Sequence, residues 1–465
     1  MNTATIVRRG SRRKPAKLIP ASITEGPIWK GLLSFFFPIL FGTFFQQLYN
    51  TVDAIIVGRF IGKEALAAVG GGTGVYVNLL VGFFVGLTSG ASVIISQFYG
   101  SKKDRYVSQA VHTAIAVAAA GALILTAAGI ILSPAAMEII GTPQDIFELS
   151  VVYLRIFFIS MVPMFIYNMG AGVQRACGDS KTPLYILIAG CIINIVLDLL
   201  FVAVFSWGVR GAAWATVFSQ IFSAVFVLYK LEKTKDSYQF RFRQLHVAPH
   251  ILREMMRIGF PAGIQSALYT VSNLIIQTNI NAFGTTTIAA WAAYGRLDSI
   301  FWMTSNAFGI ALTTFAGQNY GAQKYDRLLE GTKVCLRMAA AAAIGYTVLF
   351  SLVGKSLFHL FTTDKEVITD GIKILRFLVP FFITYIPIEV LSGTIRGTGD
   401  SFIPMVMTLL GVCFLRIVWL LIAVPINSSL TTVLACYPLT WITTSLLFFL
   451  YYKRRKWMKQ TVSQS

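Results

Sequence analysis

The sequence predicts an all-α membrane protein with twelve transmembrane helices in two six-helix lobes, related by a pseudo-twofold axis along the membrane normal. Three observations predict this fold. The 465 residues are 55% hydrophobic and 13% charged, whereas soluble globular domains carry about a quarter charged residues. Apolar stretches long enough to cross a bilayer recur along the whole chain. The second half of the chain also repeats motifs of the first half.

Windows of about 20 apolar residues define the spans. In chain order, they lie near 32–57, 66–98, 108–132, 150–174, 183–205, 209–230, 258–281, 285–316, 333–354, 371–395, 403–424 and 429–452.

The distribution of basic residues predicts the topology. Of the 39 lysines and arginines, 29 fall in the two tails and in every second connection, and six fall in the opposite connections. This bias is what the positive-inside rule requires of twelve spans with both termini in the cytoplasm. The net charge of +19 is therefore a topology signal and a contact for anionic lipid head groups. Nucleic acid is not an expected partner.

The same pattern divides the chain. We expect a basic cytoplasmic tail over 1–30, an N-terminal lobe over 31–230, a cytoplasmic linker over 231–257, a C-terminal lobe over 258–452 and a second basic tail over 453–465. The first 30 residues show no cleavable signal peptide. The five cysteines have no paired spacing and are expected to be buried apolar residues, neither disulfides nor metal ligands.

An internal repeat supports the two lobes. With a shift of 221 residues, Gln97 matches Gln318, and the motif RxxGDSxxP that begins at Arg175 recurs at Arg396. Six spans in each copy predict that both copies enter the membrane in the same direction, with a central cavity between them. The motif has a structural interpretation, a turn followed by a helix start, and a functional one, a cytoplasmic gate between the lobes.

Nucleotide-binding, metal-binding and hydrolase motifs are absent from the sequence. We therefore expect neither an enzyme nor a cofactor. Transport by this chain would use an ion gradient or run downhill.

Acidic residues inside spans are costly unless they face a cavity, pair or bind protons, so each is a functional candidate. At about 1.5 Å per residue, Asp53, Asn194, Asp198 and Thr216 reach a similar depth from three helices of the N-terminal lobe. These oxygen ligands suit a hard monovalent cation, and two carboxylates there can hold a proton. The equivalent C-terminal positions, Ile276, Leu415 and Trp419, are apolar. The alternative is a purely structural role for Asp53 and Asp198.

Four further residues inside spans also carry predictions. Asp298 and Arg416 lie at similar depth in the C-terminal lobe and are expected to form an ion pair. Glu389 is expected near the cytoplasmic interface. Pro38 marks a hinge in the first span.

The stretch FFQQLYNTVDAIIVGRFIGKEALAAVG (44–70), the two RxxGDSxxP turns and NIVLD (194–198) resemble the multidrug and toxic compound extrusion (MATE) family. The likeness covers about 28–452 and is nearest to the DNA-damage-inducible protein F branch. It implies a cation site at Asp53, Asn194, Asp198 and Thr216, and a substrate cavity at Gln46 and Tyr49, to which we add Asn50. It further implies export of amphipathic, often cationic drugs in exchange for H⁺ or Na⁺. The other bacterial branch uses acids on helices seven and ten, and their absence from the body of span seven disfavours a C-terminal cation site.

We therefore expect a multi-pass antiporter of the cell membrane, acting as a monomer on small-molecule drugs. A Na⁺ at the cation site would be its only metal. The alternative is a lipid-linked oligosaccharide or polysaccharide flippase of the same superfamily, which would require a large basic cavity. A membrane-embedded enzyme fits less well, since no catalytic constellation is present. A channel is a further alternative, which passive single-channel conductance in electrical recordings would favour.

Overall fold

Long helices dominate residues 23–359 and 361–458, the part of the chain that the computed structural model describes. The tails expected at 1–30 and 453–465 lie outside the described residues up to position 22 and from position 459. The first half contains α1 (Ile28–Phe60), α2 (Lys63–Gly70), α3 (Gly72–Gly100), α4 (Asp104–Ile140), α5 (Gln144–Ile159), α6 (Met161–Ala176), α7 (Lys181–Asp198), a π-helical turn (Leu199–Val204) and α8 (Val209–Lys233).

The second half repeats this order. It contains α9 (Pro249–Asn281), α10 (Thr285–Gly321), α11 (Tyr325–Phe358), α12 (Lys365–Leu378), α13 (Phe382–Gly397), α14 (Phe402–Thr408), a π-helical turn (Leu409–Phe414), α15 (Leu415–Ile426), α16 (Leu430–Leu434) and α17 (Cys436–Lys453), with short 3₁₀ turns at Phe242–Gln244, Val379–Phe381 and Lys456–Met458.

Among the described residues, nine helical segments are long and apolar enough to cross a membrane, and α5 with α6, bent by 45°, makes a tenth. The two remaining predicted spans correspond to α9 and α10. These helices carry polar residues such as Gln265, Asn273 and Asn306, which line a cavity between the halves. Their lower apolarity follows from facing this cavity.

The two lobes pack through helices near the pseudo-twofold axis: α3 lies along α9, and α1 lies along α10. A Cβ atom added to Gly86 of α3 would lie 2.3 Å from the backbone nitrogen of Gly263 of α9, so only glycine allows the helices to approach this closely. Between α1 and α10, the rings of Phe36 and Phe308 stack with centroids 4.1 Å apart.

One end of the bundle carries the basic connections; we call it the basic end, formed by residues 101–103, 177–180, 234–248, 322–324 and 398–401. Here the lobes exchange equivalent hydrogen bonds. Gln97 donates to the carbonyl of Gly397 at 2.9 Å, and Gln318 donates to the carbonyl of Ala176 at 2.7 Å. Each side chain thus satisfies a carbonyl at the C-terminus of a helix in the other lobe, and the basic end is closed.

The RxxGDSxxP motif forms the same turn in both lobes. Gly178 and Gly399 have φ of 107° and 100°, a conformation that favours glycine. Asp179 then accepts a hydrogen bond from the backbone of Thr182 at 2.9 Å, and Asp400 accepts one from Ile403 at 3.2 Å. These bonds satisfy amide groups in the first turn of the next helix, as the structural interpretation of the motif predicts.

Candidate functional site

Two acidic side chains meet inside the N-terminal lobe. Asp53 lies on α1 and Asp198 is the last residue of α7, and their carboxyl groups are close enough to interact directly with each other. Asp198 is 0% exposed. Both of its carboxyl oxygens, and Oδ1 of Asp53, are buried without a conventional hydrogen-bond donor among the described residues. The two carboxyl groups therefore form one buried acidic centre.

Polar groups surround this acidic centre. The hydroxyl group of Tyr49 lies close to that of Thr216, and Thr216 donates to the carbonyl of Ala212 at 3.2 Å. Asn194 lies one turn before Asp198 and is 1% exposed. Neither its amide nitrogen nor its amide oxygen has a partner within the described part of the chain. The four predicted oxygen ligands and Tyr49 thus lie in one region of the N-terminal lobe, around the acidic centre.

The local fold of α7 explains the position of Asp198. The helix changes at this residue into the π-helical turn Leu199–Val204. A π turn adds one residue to a helical turn, and such turns are frequent at functional sites. The change turns the following residues to a different face while Asn194 and Asp198, four residues apart, remain on the same face of α7.

A cavity of about 650 Å³ lies between the lobes and is lined mainly by the C-terminal lobe. Its wall includes the aromatic residues Trp302, Tyr385, Tyr437 and Trp441, hydroxyl and amide groups of α3, α9 and α10, and four charged residues: Arg175, Arg396, Arg416 and Glu389. Both arginines that begin the RxxGDSxxP motifs therefore face this space, which the sequence did not indicate.

The three residues predicted to line the substrate cavity, Gln46, Tyr49 and Asn50, do not line this one. Gln46 and Asn50 have exposed side chains, and Tyr49 belongs to the surroundings of the acidic centre. Of the described residues in the cavity wall, Thr43 is the one that α1 contributes. Pro38 is buried within α1, which continues as a helix through it.

The expected ion pair between Asp298 and Arg416 is not formed. Asp298 accepts hydrogen bonds from Trp302 at 2.6 Å and from Tyr294 at 3.3 Å. Arg416 donates instead to Ser272 and Asn273. The three salt bridges found among the described residues all lie elsewhere. Equal depth in the membrane did not bring the two side chains to the same face.

Glu389 corrects a second expectation. It lines the cavity, not the membrane interface, and accepts a hydrogen bond from Tyr385 at 3.2 Å. The sequence contained a usable signal, since Tyr385, Glu389 and Arg396 are spaced by four and seven residues and so share a helix face. Tyr153 of α5, which is close enough to Asp53 and Asp198 to interact with them electrostatically, was also missed. Nothing distinguished it from other aromatic residues of the spans.

The described residues contain no group of three or more His, Cys, Asp or Glu side chains suited to a metal ion. A monovalent cation has different requirements, because it is bound by a few oxygen ligands of any kind. The carboxyl groups of Asp53 and Asp198, with the side-chain oxygens of Asn194 and Thr216 in the same region, offer oxygen ligands of this kind.

Comparisons with known proteins agree with this architecture. The model of the family described as MatE matches residues 38–200 and 261–422, one match in each lobe. Among curated relatives, the probable multidrug resistance protein YoeA of Bacillus subtilis is 27% identical over 96% of this chain and 98% of its own. The probable multidrug resistance protein YpnP of the same organism is 28% identical over 84% of this chain and 88% of its own.

A solved structure, described as an outward-facing conformation of a multidrug resistance MATE family transporter of the MOP superfamily, superimposes with a TM-score of 0.87. It is 22% identical in sequence, and the match covers 94% of this chain and 98% of that one. The likeness supports twelve membrane helices in two lobes.

Proposed function

This chain belongs to the MATE family, and on that premise we propose that it is a secondary transporter that exports amphipathic or cationic drugs in exchange for H⁺ or Na⁺. It works as a monomer in the cell membrane, and its basic end faces the cytoplasm. The multidrug resistance proteins among its relatives support the substrate class.

The proposal of cation coupling rests on the proximity of Asp53 and Asp198. Two neighbouring carboxylates repel each other when both are charged, so the arrangement needs a shared proton or a bound cation. Burial of Asp198 increases this need, because an uncompensated charge away from water is costly. Occupancy of the acidic centre therefore determines whether α1 and α7 can remain packed at this depth.

Coupling then follows from packing. When H⁺ or Na⁺ occupies the acidic centre, Asp53 and Asp198 approach, and α1 bends or repacks near Pro38. The space inside the N-terminal lobe shrinks and substrate leaves outward. The lobes alternate by rocking, and the paired bonds of Gln97 and Gln318 form the cytoplasmic gate that closes in this conformation.

The energy of one cation is sufficient for useful export. A unit charge that crosses 100 mV releases about 2.3 kcal/mol. At about 1.4 kcal/mol per factor of ten, this supports roughly a 50-fold gradient of a neutral substrate. The flippase alternative is less well supported, because a cavity of about 650 Å³ has the size of sites for drug-sized ligands.

The test is efflux of a fluorescent dye from proteoliposomes under a pH gradient and under a Na⁺ gradient, each imposed separately. We expect one gradient to drive efflux by the wild-type protein and Asp53→Asn to abolish it. Asp145→Asn is the matched control, because Asp145 is an exposed aspartate at the start of α5.

Folding of each variant is checked by size-exclusion chromatography and thermal unfolding. An Asp53→Asn variant that folds and retains the wild-type efflux rate would exclude coupling at the acidic centre.

A further inference from the structure

Arg416 is a buried cation on the wall of the cavity. It is 2% exposed and donates from one terminal nitrogen to the hydroxyl of Ser272 at 3.2 Å and to the amide oxygen of Asn273 at 3.3 Å. Its guanidinium carbon lies 4.6 Å from the centre of the Tyr437 ring. Its Nε has no hydrogen-bond partner among the described residues. All of these contacts are neutral, so none of them balances the charge.

The two acids inside the spans of the C-terminal lobe have other partners. Asp298 is bound by Tyr294 and Trp302. Glu389 is bound by Tyr385 and interacts electrostatically with Arg396. No carboxylate of the described chain lies within 4.0 Å of Arg416. A buried guanidinium with no counter-ion is unfavourable inside a membrane protein unless an anion is supplied from outside the fold.

The surroundings of Arg416 indicate what kind of anion would fit. The cavity wall carries three arginines and one glutamate, and the aromatic rings of Trp302, Tyr437 and Trp441 lie in the same space. Aromatic walls accept a flat apolar body, and a guanidinium binds a carboxylate, sulfonate or phosphate with paired hydrogen bonds.

We propose that Arg416 is the anion-binding subsite of the central cavity, and that it favours, among amphipathic drugs, those that carry an anionic group, including cationic drugs that are zwitterions. The anionic group binds Arg416 and the apolar body packs on the aromatic wall. This inference rests on the proposed transport function and refines its substrate class. An amphipathic or cationic drug that also carries an acidic group should bind more tightly than one without it, because the acidic group meets the charge of Arg416.

An anionic group could also come from a membrane lipid. The cavity volume of about 650 Å³ matches a drug-sized solute, and a two-chain phospholipid would not be enclosed by it. The experiment therefore includes a lipid as a separate competitor.

Three probes share one apolar body and differ in charge: pyrenebutyrate, its methyl ester and a pyrene-butyl trimethylammonium cation. Binding to the purified full-length protein in a neutral detergent is followed by energy transfer from tryptophan to pyrene. We expect pyrenebutyrate to bind about tenfold or more tightly than the ester, and Arg416→Gln to remove that difference, as when a charged hydrogen-bond partner is lost. Arg416→Lys should retain part of it.

The matched control is Arg376→Gln, because Arg376 has an exposed side chain on α12 away from the cavity. Equal binding of the three probes by the wild-type protein would overturn the proposal, even if Arg416→Gln does not fold. Displacement of pyrenebutyrate by dioleoyl phosphatidate, but not by excess naphthoate, would overturn it in favour of a lipid site. The assay uses no gradient and tests Arg416 in the C-terminal lobe, so its failure is distinguishable from a failure of the efflux test of coupling at Asp53.

Discussion

Replacing Gly100 with alanine is expected to open the basic end. A Cβ atom at this position would lie 2.0 Å from the backbone oxygen of Gln318 in the other lobe. Ordinary contact begins at 3.4 Å, so the lobes would have to separate by more than 1 Å. Because the neighbour is backbone, no side-chain rotation can relieve the clash. Gly321 has the equivalent contact with the backbone oxygen of Gln97 and should give the same result.

The size of the effect follows from the cost of overpacking, about 1–3 kcal/mol. This cost applies to the state closed at the basic end and is absent once the lobes part, so the equilibrium should shift by about 5- to 150-fold toward the open state. Gly74→Ala is the control on the same helix, because a Cβ atom there would have no neighbour within 4 Å.

The assay is a spin-label distance measurement between Lys181→Cys and Phe402→Cys, two exposed positions that the repeat relates. The five native cysteines are buried, and the unsubstituted parent protein measures their background labelling. We expect a population at longer distance for Gly100→Ala and none for Gly74→Ala. If Gly100→Ala folds and keeps the distance distribution of the parent protein, closure of the basic end does not depend on the close backbone contact at Gly100.

Three other changes probe the same architecture. Gln97→Ala with Gln318→Ala removes two hydrogen bonds of about 1 kcal/mol each, and should lengthen the same spin-label distance less than Gly100→Ala does; a shorter distance would contradict the gate. Asp400→Ala should destabilise the folded protein by about 1 kcal/mol, seen in thermal unfolding, with dye binding unchanged. Burial raises the pKa of Tyr238 to about 12, whereas an unfolded tyrosine ionises near pH 10. The stability of the folded protein should therefore fall as the pH rises above about 10. Between pH 9 and pH 11, the melting temperature of Tyr238→Phe should fall less than that of the wild type.

The helical layout could be predicted from the sequence because lipid imposes simple requirements on it. Apolar windows located the helices, and the 221-residue repeat indicated the two lobes. The acids at positions 53 and 198 were recognisable because charges inside spans are rare, and a constant rise per residue gave their depth. Counting residues from the helix ends therefore predicted that residues of different helices lie at a similar depth in the membrane.

The residues that line the central cavity could not be predicted in the same way. Whether a residue lines the cavity depends on which face of its helix turns inward. The depth of a residue in the membrane gives no information on the rotation of its helix. Asp298 and Arg416 were paired on depth alone, and the structure gives them different partners. Glu389 was assigned to the interface by counting from a helix end, whereas its spacing from Tyr385 and Arg396 indicated the inward face. Spacing on a helix was the better guide to orientation.

The continuation of α1 as a single helix on both sides of Pro38 has a mechanical consequence. Pro38 interrupts its hydrogen-bond ladder near the stacked rings of Phe36 and Phe308, and Asp53 lies fifteen residues further along the same rod. That separation is about 22 Å, so a bend of about 10° at the proline would displace the aspartate by about 4 Å. A small angular change beside the lobe interface is thus converted, by leverage alone, into making or breaking a contact across the N-terminal lobe.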